Sequence, residues 1–301
     1  MRFIVIAAWA ALMPQVVIAG EPVRLQPSSR WVVDYAENSC RLIRKFGTGD
    51  SETLLAFESE SPDDMDMMLV GKPLESGLLL IDARFLPVQD HADVGMPVKA
   101  DQSGKPGVLF SHVQFLPDGI KAKLAARRQK LGDRPKALDL AEEQSQRAER
   151  LVYASKITEL EIEARHGRPV VLETGSMGQP ITAFDACSRE SLRDWGVDPA
   201  LEDKIVRPVW LKNRNELINS GDYPRGLLNE GEQSEVKARV LVDASGRVTK
   251  CTPLSYFKLP EFNKLVCDRV TQSGKFEPAE LADGTKVPSY YTLRFLFRIA
   301  Y

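Results

Sequence analysis

Several short stretches combine residue types and spacings that could do chemistry, and each requires partners that the chain must supply. Thr174-Gly175-Ser176-Met177-Gly178 sets a hydroxyl between glycines, as a nucleophile elbow does. The Gly-x-Ser-x-Gly spacing is absent, no base and orienting acid accompany it, and a turn ahead of the following helix accounts for it. Asp90-His91-Ala92-Asp93, together with His112, has the side chains of a metal site, although a loop histidine between acids reads more simply as a solvated turn. Asp63-Asp64-Met65-Asp66-Met67-Met68 interleaves three carboxylates with three thioethers. Soft sulfur would suit copper in an oxidising compartment; methionines in a strand are otherwise packing material. Gly104-Lys105-Pro106-Gly107 lacks the Gly-Lys-Ser/Thr of a phosphate loop, and Pro106 removes an amide donor. No set is complete, so the sequence predicts no catalytic residues, no metal site and no cofactor.

The cysteines are more informative. Cys40, Cys187, Cys251 and Cys267 form an even set with three possible pairings. No Cys-x-x-Cys spacing is present and the histidines are remote in sequence, which argues against zinc. Cys251–Cys267 is the local choice, within one supersecondary unit, and leaves Cys40–Cys187 to tie the beginning of the front region to its end. Oxidation fits the first twenty residues. Met1-Arg2 is a short positive region, Phe3 to Leu12 is apolar, and Val17-Ile18-Ala19 precedes Gly20 with compact side chains. That pattern predicts a cleavable secretory signal peptide over residues 1–19. Retention as a membrane anchor is the alternative, weakened by Pro14.

The elements that must position these residues follow from periodicity. Trp31–Tyr35, Cys40–Ile43, Thr53–Phe57, Met67–Val70, Gly77–Ala83 and Val108–Phe115 read as strands between Gly-, Pro- and Asp-rich turns, giving an antiparallel sheet or small sandwich. Two charged helices are expected at about 119–131 and 136–150, broken by Gly132-Asp133-Arg134-Pro135. Ile157–Ala164 and Pro169–Glu173 return to strand, and Gln179–Trp195 is a helix ended by Gly196. Residues 197–222 form a connector. The last eighty residues read as β-β-α-β: Val236–Val242, a turn at Asp243–Gly246, Arg247–Leu254, a helix over Pro260–Ser273 and a closing strand Tyr290–Ile299. The fold class is therefore α+β, with a strand-rich N-terminal domain over 20–200 and a C-terminal unit over 207–301.

Tyr223-Pro224, Gly231, Val236–Val242, Asp243–Val248, Ser255, Phe262, Phe276-Glu277-Pro278-Ala279 and the closing strand occur in an order and spacing that resembles the C-terminal domain of the TonB energy-transducer family. Cys251 and Cys267 resemble those of a disulfide-bearing subgroup of exported proteins with this domain, and the front region resembles the companion domain of such proteins. The resemblance implies a periplasmic module that pairs a sheet edge with an extended segment of an envelope protein or outer-membrane transporter. This chain has no proline-rich spacer, so the resemblance carries no pulling role over to it. The final strand is the expected edge, with Tyr291, Arg294 and Arg298 as partner contacts. A homodimer through the same edge is the structural alternative, and an enzyme or metal binder in the front domain is the other.

Charge divides the chain. Residues 204–301 hold 16 basic and 11 acidic side chains, a balance of +5, whereas residues 3–203 carry −8. This predicts contact between the halves or with different partners, although uneven solvated surfaces would produce the same count. No dense basic stripe suggests nucleic acid.

Overall fold

The computed structural model describes residues 21–61, 64–74, 81–100, 105–117, 119–122, 137–164, 168–254 and 259–299. The expected signal peptide, residues 77–80 of the strand expected at Gly77–Ala83, residues 123–131 of the first charged helix, the Gly132–Pro135 break, Asp63 and Ser255 lie outside the described residues. The protein is a mixed α+β fold, as the periodicity predicts.

Alternating apolar side chains build the front half. Its strands are β1 (Val23–Leu25), β2 (Val32–Tyr35), β3 (Cys40–Phe46), β4 (Thr53–Ser61), β5 (Asp64–Gly71), β6 (Ile81–Leu86), β7 (Asp90–Ala100), β8 (Lys105–Phe110), β9 (Glu159–Ala164) and β10 (Val170–Leu172). They form one sheet in the order β1-β10-β9-β6-β7-β8-β5-β4-β3-β2. β7 pairs with β6 through its first half and with β8 through its second, which links the two parts of the sheet. Past β1, Ser28 donates to the Lys45 carbonyl at 2.9 Å and Gly47 to the Gln26 carbonyl at 2.8 Å, so the first strand's continuation meets β3 and the sheet closes on itself. Phe46, Phe57, Phe85, Phe110 and Phe115 are fully buried in its centre, each contributing roughly 1.5–3 kcal/mol by leaving water. Among the described residues of this half the long helices are α1 (Leu140–Lys156) and α2 (Gly178–Asp194), and residues 119–122 are also helical. The buried face of α2, with Ile181, Phe184 and Cys187, joins the same core, and a Cys40–Cys187 disulfide with Cα atoms 6.0 Å apart staples it to β3.

After β11 (Ile205–Arg207), β12 (Trp210–Leu211) and the short helix α3 (Arg225–Glu230), the rear half is built from β13 (Ser234–Val242), β14 (Val248–Pro253), α4 (Pro260–Ser273) and, beyond the short strands β15 (Phe276–Glu277), β16 (Ala279–Leu281) and β17 (Lys286–Val287), β18 (Ser289–Phe297). The main sheet order is β14-β13-β18, antiparallel throughout. Val236, Ala238 and Val240 alternate on the face that meets Phe262, Val266 and Val270 of α4, all buried to 1% exposure or less. A second disulfide, Cys251–Cys267, fixes β14 to α4 with Cα atoms 5.6 Å apart. Both pairings are those expected from the local-choice argument. The hairpin turn needs Gly246: its φ is +85°, and a Cβ there would lie 2.6 Å from the Phe276 carbonyl oxygen.

Several elements differ from expectation, and the connector expected over 197–222 carries β11 and β12, which pair with β16 and β15. Asp90–Asp93 belongs to a strand rather than a loop; Gly95 and Pro97 disguise the alternation of β7. The strand expected at Val108–Phe115 stops at Phe110. The second charged helix begins at Leu140, where the Asp139 side chain accepts from Ala141 N at 3.0 Å and Glu142 N at 3.3 Å, and extends to Lys156.

Candidate functional site

The rear sheet has two faces and two edges, and their fates differ. α4 covers one face. The opposite face carries Lys237 and Arg239, charged side chains only 1% and 3% exposed, because the front half packs over them. Lys237 Nζ donates to Asp66 Oδ2 at 2.5 Å. Arg294 of β18 reaches Asp66 Oδ1 at 3.4 Å and Glu235 Oε1 at 2.8 Å, and the His112 amide donates to Asp66 Oδ1 at 3.2 Å. Beside this cluster the Arg239 guanidinium sits 3.4 Å from the Trp195 ring centroid and donates to the Asn38 carbonyl at 3.2 Å. Ser289 Oγ donates to Glu202 at 2.7 Å. The charge asymmetry of the sequence is thus partly expressed as an interface between the halves.

The two edges follow from the register. Leu254 N donates to Lys237 O, so the backbone groups of Lys237, Arg239 and Leu241 point toward β14 and those of Val236, Ala238, Val240 and Val242 toward β18. Their partners there are Phe295, Leu293, Tyr291 and Ser289. The N–H and C=O groups of Tyr290, Thr292, Arg294 and Leu296 consequently point outward, since backbone direction alternates along a strand. The Arg214 guanidinium, donating to the Arg294 carbonyl at 2.9 Å, meets this edge from outside. The outer edge of β14, by contrast, exposes Lys250 and Pro253, two residues that discourage strand addition.

A cleft of about 760 Å³ runs along β18 from Tyr290 to Arg294. Its other walls are the start of α1, residues 112–114 and the connector around Pro208–Trp210 and Arg214; Leu138 N donates to Val206 O at 2.6 Å and ties two of these walls together. The Thr292 hydroxyl oxygen is buried and has no hydrogen-bond partner among the described residues. Asp203 lies between Arg147 (3.4 Å) and Arg189 (2.5 Å) on the cleft wall; hydrogen bonding from Arg189 holds its carboxyl below the ordinary value, against the opposing effect of burial.

Of the three expected contacts, Tyr291 directs its ring toward the α4 side, edge-on to Phe276 at 5.8 Å between centroids. The Arg294 side chain belongs to the Asp66 cluster, while its backbone belongs to the edge. Arg298 is exposed just past the end of β18. Sequence reasoning missed Arg214, Asp66 and Lys237 as members of this region. Strand alternation placed Lys237 on a water-facing side, and only the opposite charge of the two halves signalled a covered face.

The other candidates disperse. Met65 and Met67 point into the front core whereas Asp66 faces the rear sheet, so thioethers and that carboxylate do not converge. His91 faces Asp82 at 3.2 Å, and Asp90 is bound by Lys121. Ser176 donates to the Ser155 carbonyl at 2.9 Å in the turn before α2. Among the described residues no group of three or more His, Cys, Asp or Glu side chains is placed to hold a metal, and no helix is long and apolar enough to cross a membrane. The two disulfides indicate an oxidising environment of the kind exported proteins meet. Compared with known proteins, the chain matches no family model and no curated protein.

Proposed function

We propose that this is an exported, periplasmic polypeptide-binding protein related to the TonB C-terminal domain, which receives an extended segment of an envelope or outer-membrane protein as an added strand on β18. The observation that carries this reading is the outward-facing backbone at Tyr290, Thr292, Arg294 and Leu296, with the first three bordering a cleft, while the other outer strand is guarded by Lys250 and Pro253. Strand addition draws affinity from main-chain hydrogen bonds and specificity from the pockets that meet alternate side chains. The cleft provides both a backbone template and enclosing walls.

Thr292→Pro tests the reading with little harm to the fold. Its N–H points away from β13, so proline deletes a docking donor without deleting a ladder bond. Envelope partners captured by the wild type should be lost by the variant, and hydrogen exchange at Thr292 and Leu296 should slow when a purified partner is added. Partners retained by Thr292→Pro, with unchanged exchange at those amides, would refute strand addition.

A further inference from the structure

We infer that Arg214 selects an acidic segment for this cleft; the inference rests on the strand-docking reading above and adds the chemistry of the partner. Arg214 is exposed, and its one hydrogen bond among the described residues is to the Arg294 carbonyl at the β18 edge, 2.9 Å away. It has no carboxylate partner among the described residues, although a guanidinium offers five donors in a fork that matches a carboxylate in two places. The other cations of the lining are differently engaged. Arg147 and Arg189 share Asp203, and Lys237 and Arg294 share Asp66. With Arg214, basic side chains on the walls outnumber the acidic Glu143, Glu202 and Asp203 by five to three.

The position of Arg214 makes it more than a surface charge. A strand adding to β18 must place an N–H on the Arg294 carbonyl, where the guanidinium now sits. Arg214 therefore occupies the edge when the cleft is empty and has to give way when it fills. A neutral segment displaces it into water and leaves the charge uncompensated at the rim. A segment with Asp or Glu opposite Arg294 gives the displaced guanidinium a bidentate acceptor, so only the acidic sequence replaces the bond that was lost. The buried Thr292 hydroxyl, two residues earlier on the same edge and without a partner among the described residues, is a neighbouring polar contact for the same strand.

A random dodecapeptide library displayed on phage, selected against the full-length protein, tests this without knowledge of the natural partner. The wild type should enrich peptides with Asp or Glu at one fixed position of an extended motif. Synthetic copies in which that acid becomes Asn or Gln should bind about five- to tenfold more weakly, the scale of one charge-assisted pair at a partly exposed site. Arg214→Glu, with its fold checked by thermal melting, should lose the acidic pool and enrich Lys or Arg at the same position. Peptides that need Thr292 yet show no acidic preference, or that bind Arg214→Glu undiminished, overturn the role of Arg214 and leave strand docking standing. Peptides whose binding survives Thr292→Pro, or a wild type that selects none, overturn both.

Discussion

Replacing Asp66 by Asn keeps the shape of the side chain and removes the charge at the centre of the interface. Its two oxygens meet Lys237 Nζ at 2.5 Å, Arg294 Nη2 at 3.4 Å and the His112 amide at 3.2 Å, and Asp66 and Lys237 are each 1% exposed. Removing one partner of a buried ion pair typically costs about 3–5 kcal/mol, because the remaining charge stays desolvated. Lys237 bears the larger share of the loss, because it is the more deeply buried of the two cations and makes the shorter contact, whereas Arg294 also holds Glu235 at 2.8 Å. At about 2–4 °C per kcal/mol for a chain of this size class, the melting temperature should fall by roughly 6–20 °C. Differential scanning calorimetry with a urea titration measures the change. The paired replacement Asp66→Leu with Lys237→Met should recover most of the loss, since apolar isosteres of buried pairs are often neutral or better. An Asp66→Asn variant that melts within a degree of the wild type would refute the claim that this carboxylate holds the halves together.

Other consequences are open to direct measurement. Replacing both Cys251 and Cys267 by Ser should cost about 3 kcal/mol in denaturant titration, and replacing Cys40 and Cys187 about 5, because closing the longer loop removes more unfolded-chain entropy; equal losses would contradict that account. Gly246→Ala should destabilise the rear half by roughly 1–3 kcal/mol, through positive φ and the close Phe276 carbonyl, while Gly226→Ala, which meets open space, should not. Because the folded-state value of Asp203 is held below 3.8, its stabilising effect is complete above the ordinary carboxylate range and lost as pH falls through the folded value. The stability gap between wild type and Asp203→Asn should therefore be full at neutral pH and close below about pH 4; a gap that widens on acidification would reverse the sign.

Elements with strong local signals are legible in the sequence. The helix Pro260–Ser273 has proline at its first position and an apolar stripe at helical spacing, and it occurs with those bounds. The two disulfides followed from an even cysteine count and one short separation. What stayed hidden depends on contacts between residues far apart in sequence. Nothing near Asp66 in the chain indicates that Lys237 and Arg294 lie against it, 171 and 228 residues away. The closing of the front sheet depends on residues 26–29 meeting residues 44–47, a pairing between segments with no distinctive alternation. Arg214 opens a single 3-10 turn, Arg214–Glu216, which is too short for periodicity to mark.

Lys237 and Arg294 stand directly opposite each other on β13 and β18. Like charges in that relation destabilise a sheet, and here both are largely buried. The arrangement is tolerable because Asp66 comes between them from the front half, with Glu235 on the flank of Arg294. The rear sheet is therefore built to be covered: separated from the front half, its strands β13 and β18 would hold two adjacent cations with one fewer carboxylate. The same cover places β18 beside residues 112–114, so the Asp66 cluster joins the Leu138–Val206 and Asp203 contacts in positioning the cleft walls. The proposed docking puts the incoming strand on β18 because, among the described residues, one face of the sheet lies under α4, the other under the front half, and the β14 edge carries Lys250 and Pro253.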